Sequence, residues 1–311
     1  MRFYHTRVMA SALVKKKKEK KKSSIGMVTC FSAPRCLSTS LMYSFNSRPE
    51  TRVVDEPTYA HYVSTTGVCR PYEKELFATQ NRDGYAVLSA LREDAGRACA
   101  SGEMVYVKHI AKLCTAPTGF IEEACKTALL EGNGRAFILV RDPRRVLRSW
   151  SKVLPASLEE SGFPGVEAAF DTLMRMTAGK GVVVVDAQAI AEKPTESLQR
   201  LCAALEIPWD ERMLEWKRGG IPEDGCWKDY WYKRVHESTC FQSAPKEESA
   251  TTSELPGDAH TNTGGGARET KTDCTTDEND EDNTTPERDA MMRECIRIYD
   301  KLRWSPLAIL P

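Results

Sequence analysis

Residues 27–39, MVTCFSAPRCLST, join an apolar run to a polar turn that contains Pro34 and Arg35. The β-branched and apolar residues at 28–31 are typical of a buried strand, and residues 40–45, SLMYSF, place apolar side chains on one helical face. The turn between them predicts a helix N-terminus with unpaired backbone N–H groups and partial positive charge. Such a turn suits a phosphate group, so we expect an anionic nucleotide as the ligand.

The side chains of this turn add further donors. Arg35 offers a planar set of N–H groups that matches phosphate oxygens, and Ser38, Thr39 and Ser40 offer hydroxyls. The turn lacks the glycines and the lysine of GxxxxGK[ST], which disfavours a generic P-loop ATPase. The alternative is an ordinary strand-to-helix turn with Ser38 as its N-cap.

A second strand-to-helix junction has the same character. Residues 136–140, AFILV, are typical of a strand buried on both faces, and Asp142 and Pro143 suit the start of a helix. Arg141 and Ser149 are eight residues apart, about two helical turns, and can face the same side. We expect both to bind one phosphate group.

These two segments, SAPRCLSTS at 32–40 and VRDPRRVLRSW at 140–150, resemble the two phosphate-binding signatures of sulfotransferases that use 3′-phosphoadenosine 5′-phosphosulfate (PAPS). The wider pattern, including VDEPTYA at 54–60, is similar to a sulfotransferase-like subfamily, which includes the domain joined to an aminotransferase-like domain in some plant proteins. The resemblance covers most of residues 25–241. It implies an α/β fold like that of P-loop nucleotide hydrolases, with a parallel sheet flanked by helices.

The resemblance also assigns cofactor-binding roles. In the family the first loop binds the 5′-phosphosulfate, and an Arg followed eight residues later by a Ser binds the 3′-phosphate, here Arg141 and Ser149. Cys36 and Leu37 stand where many members have Ser and Gly. Because Cys36 lies beside a cation and a helix N-terminus, we expect its thiol to have a lowered pKa. The loop residues carried over are Arg35, Cys36, Leu37, Ser38, Thr39 and Ser40.

Glu56 follows residues 52–55, RVVD, which are typical of a short strand. Its carboxylate is expected at the carboxyl end of that strand, where open α/β sheets bind their ligands. By resemblance to Golgi-type sulfotransferases, Glu56 is the general base, and shielding from water would raise its pKa. Two alternatives stay open: Asp55 and Glu56 cap the next turn, or they hold Mg²⁺ as a Walker-B-like pair.

Lys108 and His109 follow another apolar run, residues 104–107. Cytosolic sulfotransferases use a His near a Lys at a comparable place, so the resemblance makes His109 the second candidate for the base. Lys108 is a candidate to contact the bridging oxygen of the donor. Side chains alternate along a strand, so we expect at most one of the two to face the site.

Residues 225–235, GCWKDYWYKRV, combine aromatic and cationic side chains. In the family a basic segment with a Trp-Lys element closes over the adenosine and the 3′-phosphate, which makes Trp227 and Lys228 candidates for that lid. A helix whose aromatic face belongs to the core is the alternative. Stacking on single-stranded nucleic acid would also suit these residues, but the net charge of zero argues against it, and we expect no nucleic-acid partner.

Together with these residues, the resemblance implies a sulfotransferase that transfers the sulfuryl group of PAPS to a hydroxyl or amine of a small-molecule acceptor. Arg35 and the loop donors would stabilise charge on the leaving phosphate. We expect no metal, since the sequence has no CxxC pair, HExxH motif or clustered His ligands. Two other functions stay open. One is a non-catalytic nucleotide-binding module that keeps the fold, favoured by Cys36 and Leu37, and the other is a P-loop kinase.

The predicted strands alternate with helical stretches, which indicates a parallel sheet with helices on both faces in a single catalytic domain. These strands are residues 26–31, 51–55, 105–108, 136–140 and 182–185.

Composition divides the chain into four parts. Residues 1–24 are predicted to be a basic disordered extension, 25–242 the P-loop domain, 243–287 a polar disordered insertion, and 288–311 a helix that docks on the domain. No stretch is apolar enough to predict a transmembrane segment. Eleven cysteines with scattered spacing favour a reducing compartment, so we expect a cytoplasmic protein. The basic extension leaves organelle import or nuclear entry open. The sequence predicts no particular oligomeric state.

Overall fold

The computed structural model describes residues 25–151, 157–178, 182–242 and 286–311. Within them, six parallel strands form one sheet in the order β2-β3-β1-β4-β5-β6. The predicted parallel α/β fold is confirmed. The disordered insertion predicted at 243–287 and the extension predicted at 1–24 lie outside the described residues, except that 286 and 287 belong to the first turn of a helix. The strands are β1 (Met27–Ser32), β2 (Thr51–Asp55), β3 (Met104–Ile110), β4 (Gly134–Val140), β5 (Val183–Asp186) and β6 (Ala308–Ile309).

Helices cover the sheet in two groups. Helices α4, α5, α8 and α13 pack side by side, and α1 and α10 both pack on a 3-10 turn at Glu211–Leu214. The helices are α1 (Ser38–Asn46), α2 (Tyr59–Thr66), α3 (Glu73–Thr79), α4 (Gly84–Ser101), α5 (Phe120–Leu129), α6 (Pro143–Trp150), α7 (Leu158–Ser161), α8 (Phe163–Met176), α9 (Ala187–Glu192), α10 (Pro194–Ala204), α11 (Lys228–Trp231), α12 (Lys233–His236) and α13 (Pro286–Arg303).

The sheet places the carboxyl ends of β1, β2 and β4 on the same side. Strand β1 lies in the middle, paired with β3 on one side and β4 on the other, and all six of its residues are buried. In the β2–β3 register Asp55 is opposite Lys108. Because the strands are parallel, the segments that follow β1, β2 and β4 leave the sheet at the same edge.

The C-terminal helix packs against this core. Helix α13 begins at Pro286 and buries Cys295, Ile298 and Leu302. The Tyr299 hydroxyl donates to Asp186 Oδ2 at 2.5 Å. The chain then adds β6 beside β5, a short edge strand that the sequence pattern does not predict.

Candidate functional site

The turn after β1 has the geometry of an anion-binding loop. Helix α1 begins at Ser38, and its N-cap is Leu37, whose side chain makes no capping hydrogen bond. Ser38 is therefore not the N-cap that the ordinary-turn alternative requires. The first hydrogen bond of the helix runs from Leu41 N to Leu37 O at 3.0 Å, so the N–H groups before Leu41 have no intrahelical partners. This leaves an uncapped helix N-terminus of the kind that binds phosphate.

Two non-glycine residues of the loop have a left-handed backbone. Their φ angles are 63° at Arg35 and 62° at Leu37. A side chain with a Cβ pays on the order of 1 kcal/mol for this conformation, and such residues cluster at functional sites. The structure thus gives a physical reason why glycine would suit position 37.

Arg35, Arg141 and Ser149 lie together beside this loop. Arg35 Nε donates to Ser149 Oγ at 2.9 Å, and Arg141 Nη1 donates to the carbonyl oxygen of Arg35 at 3.1 Å. Arg141 precedes α6 instead of lying on it, since that helix begins at Pro143. We call the cavity they share the arginine pocket. Its walls include Arg35, Arg141, Ser149, Arg234 and the hydroxyl residues Ser38, Thr39 and Ser40.

The arginine pocket concentrates positive charge. Burial lowers the pKa of Arg35, and the nearby cations Arg141 and Arg234 lower it further. Burial is also the main cause that lowers the pKa of Arg141. Arg141 Nε is buried and has no hydrogen-bond partner within the described part of the chain. Converging cations with an unused buried donor favour an anionic ligand.

Cys36 does not have the reactive environment that the sequence predicts. Its side chain is buried, with Sγ 3.6 Å from the carbonyl oxygen of Pro34. Burial raises the pKa of the Cys36 thiol, more than the neighbouring Arg141 and Arg35 lower it. The expected lowered pKa is therefore wrong, because the sequence argument assumed a thiol open to solvent. Leu37 lines the arginine pocket, whereas the Cys36 side chain faces the core.

Glu56 lies in a second pocket beside the same loop, which we call the Glu56 pocket. Arg35, Ser38, Thr39 and Trp231 line both pockets, so the two cavities meet at the phosphate loop. The remaining walls of the Glu56 pocket include Glu56, Tyr59, Lys108, Lys112, Trp150 and Trp227.

The Glu56 carboxylate is held at one oxygen. Lys108 Nζ donates to Oε1 at 2.8 Å, and within the described ranges no donor is found for Oε2. Burial raises the pKa of Glu56, opposed by the charge of Lys108. A buried carboxylate with one unbonded oxygen at a pocket wall can accept a proton from a bound molecule.

Lys108 is tied to three partners. Its ammonium group donates to Asp55 Oδ1 at 2.7 Å, to Glu56 Oε1 at 2.8 Å and to the Tyr232 hydroxyl at 2.5 Å. Although burial lowers its pKa, Asp55 and Glu56 raise it more, so Lys108 stays charged. Three partners use all three ammonium donors. In this arrangement Lys108 positions Glu56, and it would have to release a partner to contact a donor oxygen.

The Tyr232 hydroxyl completes this buried cluster. It accepts hydrogen bonds from Lys108 Nζ and from Trp227 Nε1 at 2.8 Å, and it donates to Asp55 Oδ2 at 2.7 Å. The hydroxyl thereby uses its one donor and both lone pairs. Asp55, Lys108 and Tyr232 form a closed network behind the Glu56 carboxylate.

His109 faces away from both pockets. Its ring stacks on Phe31 at 5.3 Å, and Nδ1 lies 3.5 Å from Cys114 Sγ. Burial lowers the pKa of His109 to about 4. The strand alternation puts Lys108 at the Glu56 pocket and turns His109 into the core, so the structure does not bring His109 to the site.

Comparison with known proteins agrees with this geometry. The family model of the sulfotransferase domain matches residues 26–253. The chain belongs to the sulfotransferase domain family. The family predicted from the two phosphate-binding segments is thereby confirmed.

The sequence relatives confirm the predicted subfamily as well. Branched-chain-amino-acid aminotransferase-like protein 1 of Arabidopsis thaliana is 41% identical over 220 residues, which cover 71% of this chain and 37% of that protein. Protein 2 of the same name is 37% identical over 222 residues, with the same two coverages of 71% and 37%. The chain thus spans little more than a third of the length of these relatives.

The solved structures to which this chain is similar include two sulfotransferases. The sulfotransferase domain from the curacin biosynthetic pathway has a TM-score of 0.42 at 14% identity, covering 70% of this chain and 84% of that one. The sulfotransferase from Alicyclobacillus acidocaldarius has a TM-score of 0.42 at 13% identity, covering 58% of this chain and 81% of that one.

The aromatic segment of this sulfotransferase domain differs from the predicted lid. Trp227 is buried and lines the Glu56 pocket, and Lys228 lines neither pocket. The segment reaches the arginine pocket through Trp231, Arg234 and Ser238 instead. Trp231 ends α11, Arg234 lies on α12 and Ser238 follows α12, so no single helical periodicity in the sequence indicates this set.

Neither a metal site nor a membrane-spanning helix is found among the described residues. Across residues 25–151, 157–178, 182–242 and 286–311, no group of three or more His, Cys, Asp or Glu side chains is placed to hold a metal ion. Over those same ranges, none of the helices combines the length and the apolar character needed to cross a bilayer.

Proposed function

We propose that this domain transfers the sulfuryl group of PAPS to a hydroxyl or amine of a small-molecule acceptor. The observation that carries the proposal is the meeting of two pockets at one phosphate loop. One pocket gathers Arg35, Arg141 and Ser149, and the other presents the unbonded oxygen of Glu56. A nucleotide phosphosulfate and an acceptor need such adjacent sites for in-line transfer.

The arginine pocket fits the anionic groups of PAPS. The buried Arg141 Nε that lacks a partner among the described residues is suited to a phosphate oxygen. In the proposed complex, Arg141 and Ser149 bind the 3′-phosphate. The 5′-phosphosulfate is held by Arg35, the hydroxyls of Ser38 and Thr39, and the N–H groups at the start of α1.

The residues of the Glu56 pocket supply the proton transfer. When bound, PAPS provides a sulfuryl group whose bond to the 5′-phosphate breaks as the acceptor oxygen bonds to sulfur, leaving adenosine 3′,5′-bisphosphate. Glu56 Oε2 accepts the acceptor proton, and the raised pKa of Glu56 favours that role. Arg35 and the loop donors stabilise the charge of the leaving phosphate, where one good donor is worth about 3 kcal/mol of the barrier.

Transfer of radiolabelled sulfate from PAPS to a panel of hydroxyl and amine acceptors tests the proposal. Glu56→Gln keeps the size of the side chain and removes the base, so we expect it to lower turnover by about 10²- to 10⁴-fold. Glu196→Gln, at an exposed position on α10, is the matched control and should retain turnover. Equal turnover in Glu56→Gln and wild type would exclude Glu56 as the base.

A non-catalytic nucleotide-binding module is the second candidate function. It is favoured by the left-handed Leu37, which strains the loop at a position suited to glycine. Binding of adenosine 3′,5′-bisphosphate without any labelled transfer across the panel would support this module. Binding of ATP that requires Mg²⁺ would instead support the P-loop kinase.

A further inference from the structure

One wall of the Glu56 pocket is a column of two stacked aromatic rings with a cation at each end. The Arg35 guanidinium lies 5.5 Å from the centre of the Trp231 ring, and Trp231 stacks on Trp150 at 4.9 Å. Lys112 Nζ lies 4.4 Å from the centre of the Trp150 ring. All four residues line the pocket. The column starts at the phosphate loop with Arg35 and ends with the ammonium group of Lys112.

The Lys112 end of the wall carries surplus positive charge. Lys112 Nζ donates to Glu160 Oε2 at 2.7 Å, and Arg70 Nη2 donates to both oxygens of the same carboxylate, at 2.9 and 3.0 Å. The Arg70 and Lys112 side chains are only 4% and 7% exposed. The described ion pairs thus give two buried cations one carboxylate to share. A buried charge that lacks a full counter-charge destabilises the folded protein.

Lys108 in the same pocket provides an internal comparison. Lys108 has two carboxylates, Asp55 and Glu56, and these raise its pKa against the effect of burial. Burial lowers the pKa of Lys112 to about 8; Arg70 lowers it as well, and Glu160 and Glu56 raise it. At the base end one cation has two carboxylates, whereas at the far end of the column two cations share one, so the shortage of one negative charge is local to Lys112 and Arg70.

We propose that the acceptor carries a carboxylate that binds Lys112 while its hydroxyl faces Glu56. This inference rests on the proposed function. A surplus of one charge is matched by a monovalent anion, which favours a carboxylate over a dianionic phosphate. Tyr59, Trp150 and Trp231 also line the pocket, which favours an acceptor with an apolar body.

The test compares a panel of hydroxylated carboxylates with their carboxamides, paired by carbon skeleton, as acceptors with PAPS. In the wild-type chain we expect carboxylates to exceed carboxamides in kcat/KM by about tenfold or more, as for a charged hydrogen bond. Lys112→Met should bring this ratio close to one, and Lys112→Arg should restore part of it. Because Lys112 must be charged, the preference should diminish as the pH rises above about 8.

Two controls separate this inference from the proposed function. Lys126→Met removes an exposed lysine of α5 and should keep the preference. Binding of adenosine 3′,5′-bisphosphate by calorimetry should be unchanged in Lys112→Met, which also shows that the variant folds.

Several results would overturn the inference. One is a wild-type chain that uses both acceptor types equally or prefers carboxamides. Another is a Lys112→Met variant that slows both types by the same factor, since Lys112 would then act in the transfer step. A wild-type chain that binds no bisphosphate and transfers no sulfate would refute the proposed function itself.

Discussion

At the residue scale, the proposed chemistry depends on how the Glu56 carboxylate is held. Lys108 fixes Oε1 at 2.8 Å, and burial raises the pKa of Glu56 above its usual 4.5. A base must be deprotonated to act, so turnover should increase with pH through a midpoint above 4.5. The pH dependence of kcat/KM measures this midpoint. An acid limb centred at or below 4.5 would contradict the buried base.

The Tyr232 hydroxyl is the second residue whose role can be tested alone. Tyr232→Phe removes the hydroxyl that accepts a hydrogen bond from Lys108 and donates one to Asp55. Both of these partners are buried. Leaving buried polar groups unpaired should lower the free energy of unfolding by about 1–3 kcal/mol. Urea denaturation measures the loss. Tyr230→Phe, at a side chain that is 47% exposed, is the control and should change stability by less than about 0.5 kcal/mol. Equal stability of the two variants would argue against the network.

At the element scale, α11 and α12 connect the two pockets. Trp231 lines both cavities, accepts a hydrogen bond from Arg35 Nη1 at 3.1 Å through its carbonyl oxygen, and stacks on Trp150. Trp231→Ala should weaken bisphosphate binding and raise the KM of the acceptor, each by about fivefold, since a stacked cation and ring contribute about 1 kcal/mol. Calorimetry and steady-state kinetics measure the two effects. Tyr230→Ala on the same helix should change neither, and a Trp231 effect on one pocket alone would refute the connection.

The same scale shows what sequence can predict. Five strands were predicted with ends within two residues of those observed, because each is an apolar run buried in a parallel sheet. Strand β6 has two residues and no pattern of its own. Alternation predicted that only one of Lys108 and His109 reaches the site, but which one does depends on how β3 packs. The Lys112–Glu160 pair joins residues 48 positions apart, which no local pattern indicates.

At the scale of the whole molecule, helix α13 packs against the core and contributes a buried apolar face to it. Ile298 is buried on its inner face, while Arg293 is exposed. Ile298→Ala should lower the free energy of unfolding by about 2–4 kcal/mol through lost burial and the cavity left behind. Arg293→Ala should change it by less than about 0.5 kcal/mol. Thermal denaturation distinguishes them, and a neutral Ile298→Ala would show that the helix is not part of the cooperative core.

The central claim is that this fold binds the PAPS nucleotide between Arg35, Arg141 and Ser149. Calorimetric titration with adenosine 3′,5′-bisphosphate, beside ATP with Mg²⁺, tests it most directly. Arg141→Ala removes the buried Nε donor of the arginine pocket. Arg144→Ala, the control, removes an exposed arginine three residues further along the chain. The account predicts bisphosphate binding that is lost in Arg141→Ala and kept in Arg144→Ala. The claim is contradicted if the wild-type chain does not bind the bisphosphate, or if Arg141→Ala binds it as tightly as the wild-type chain.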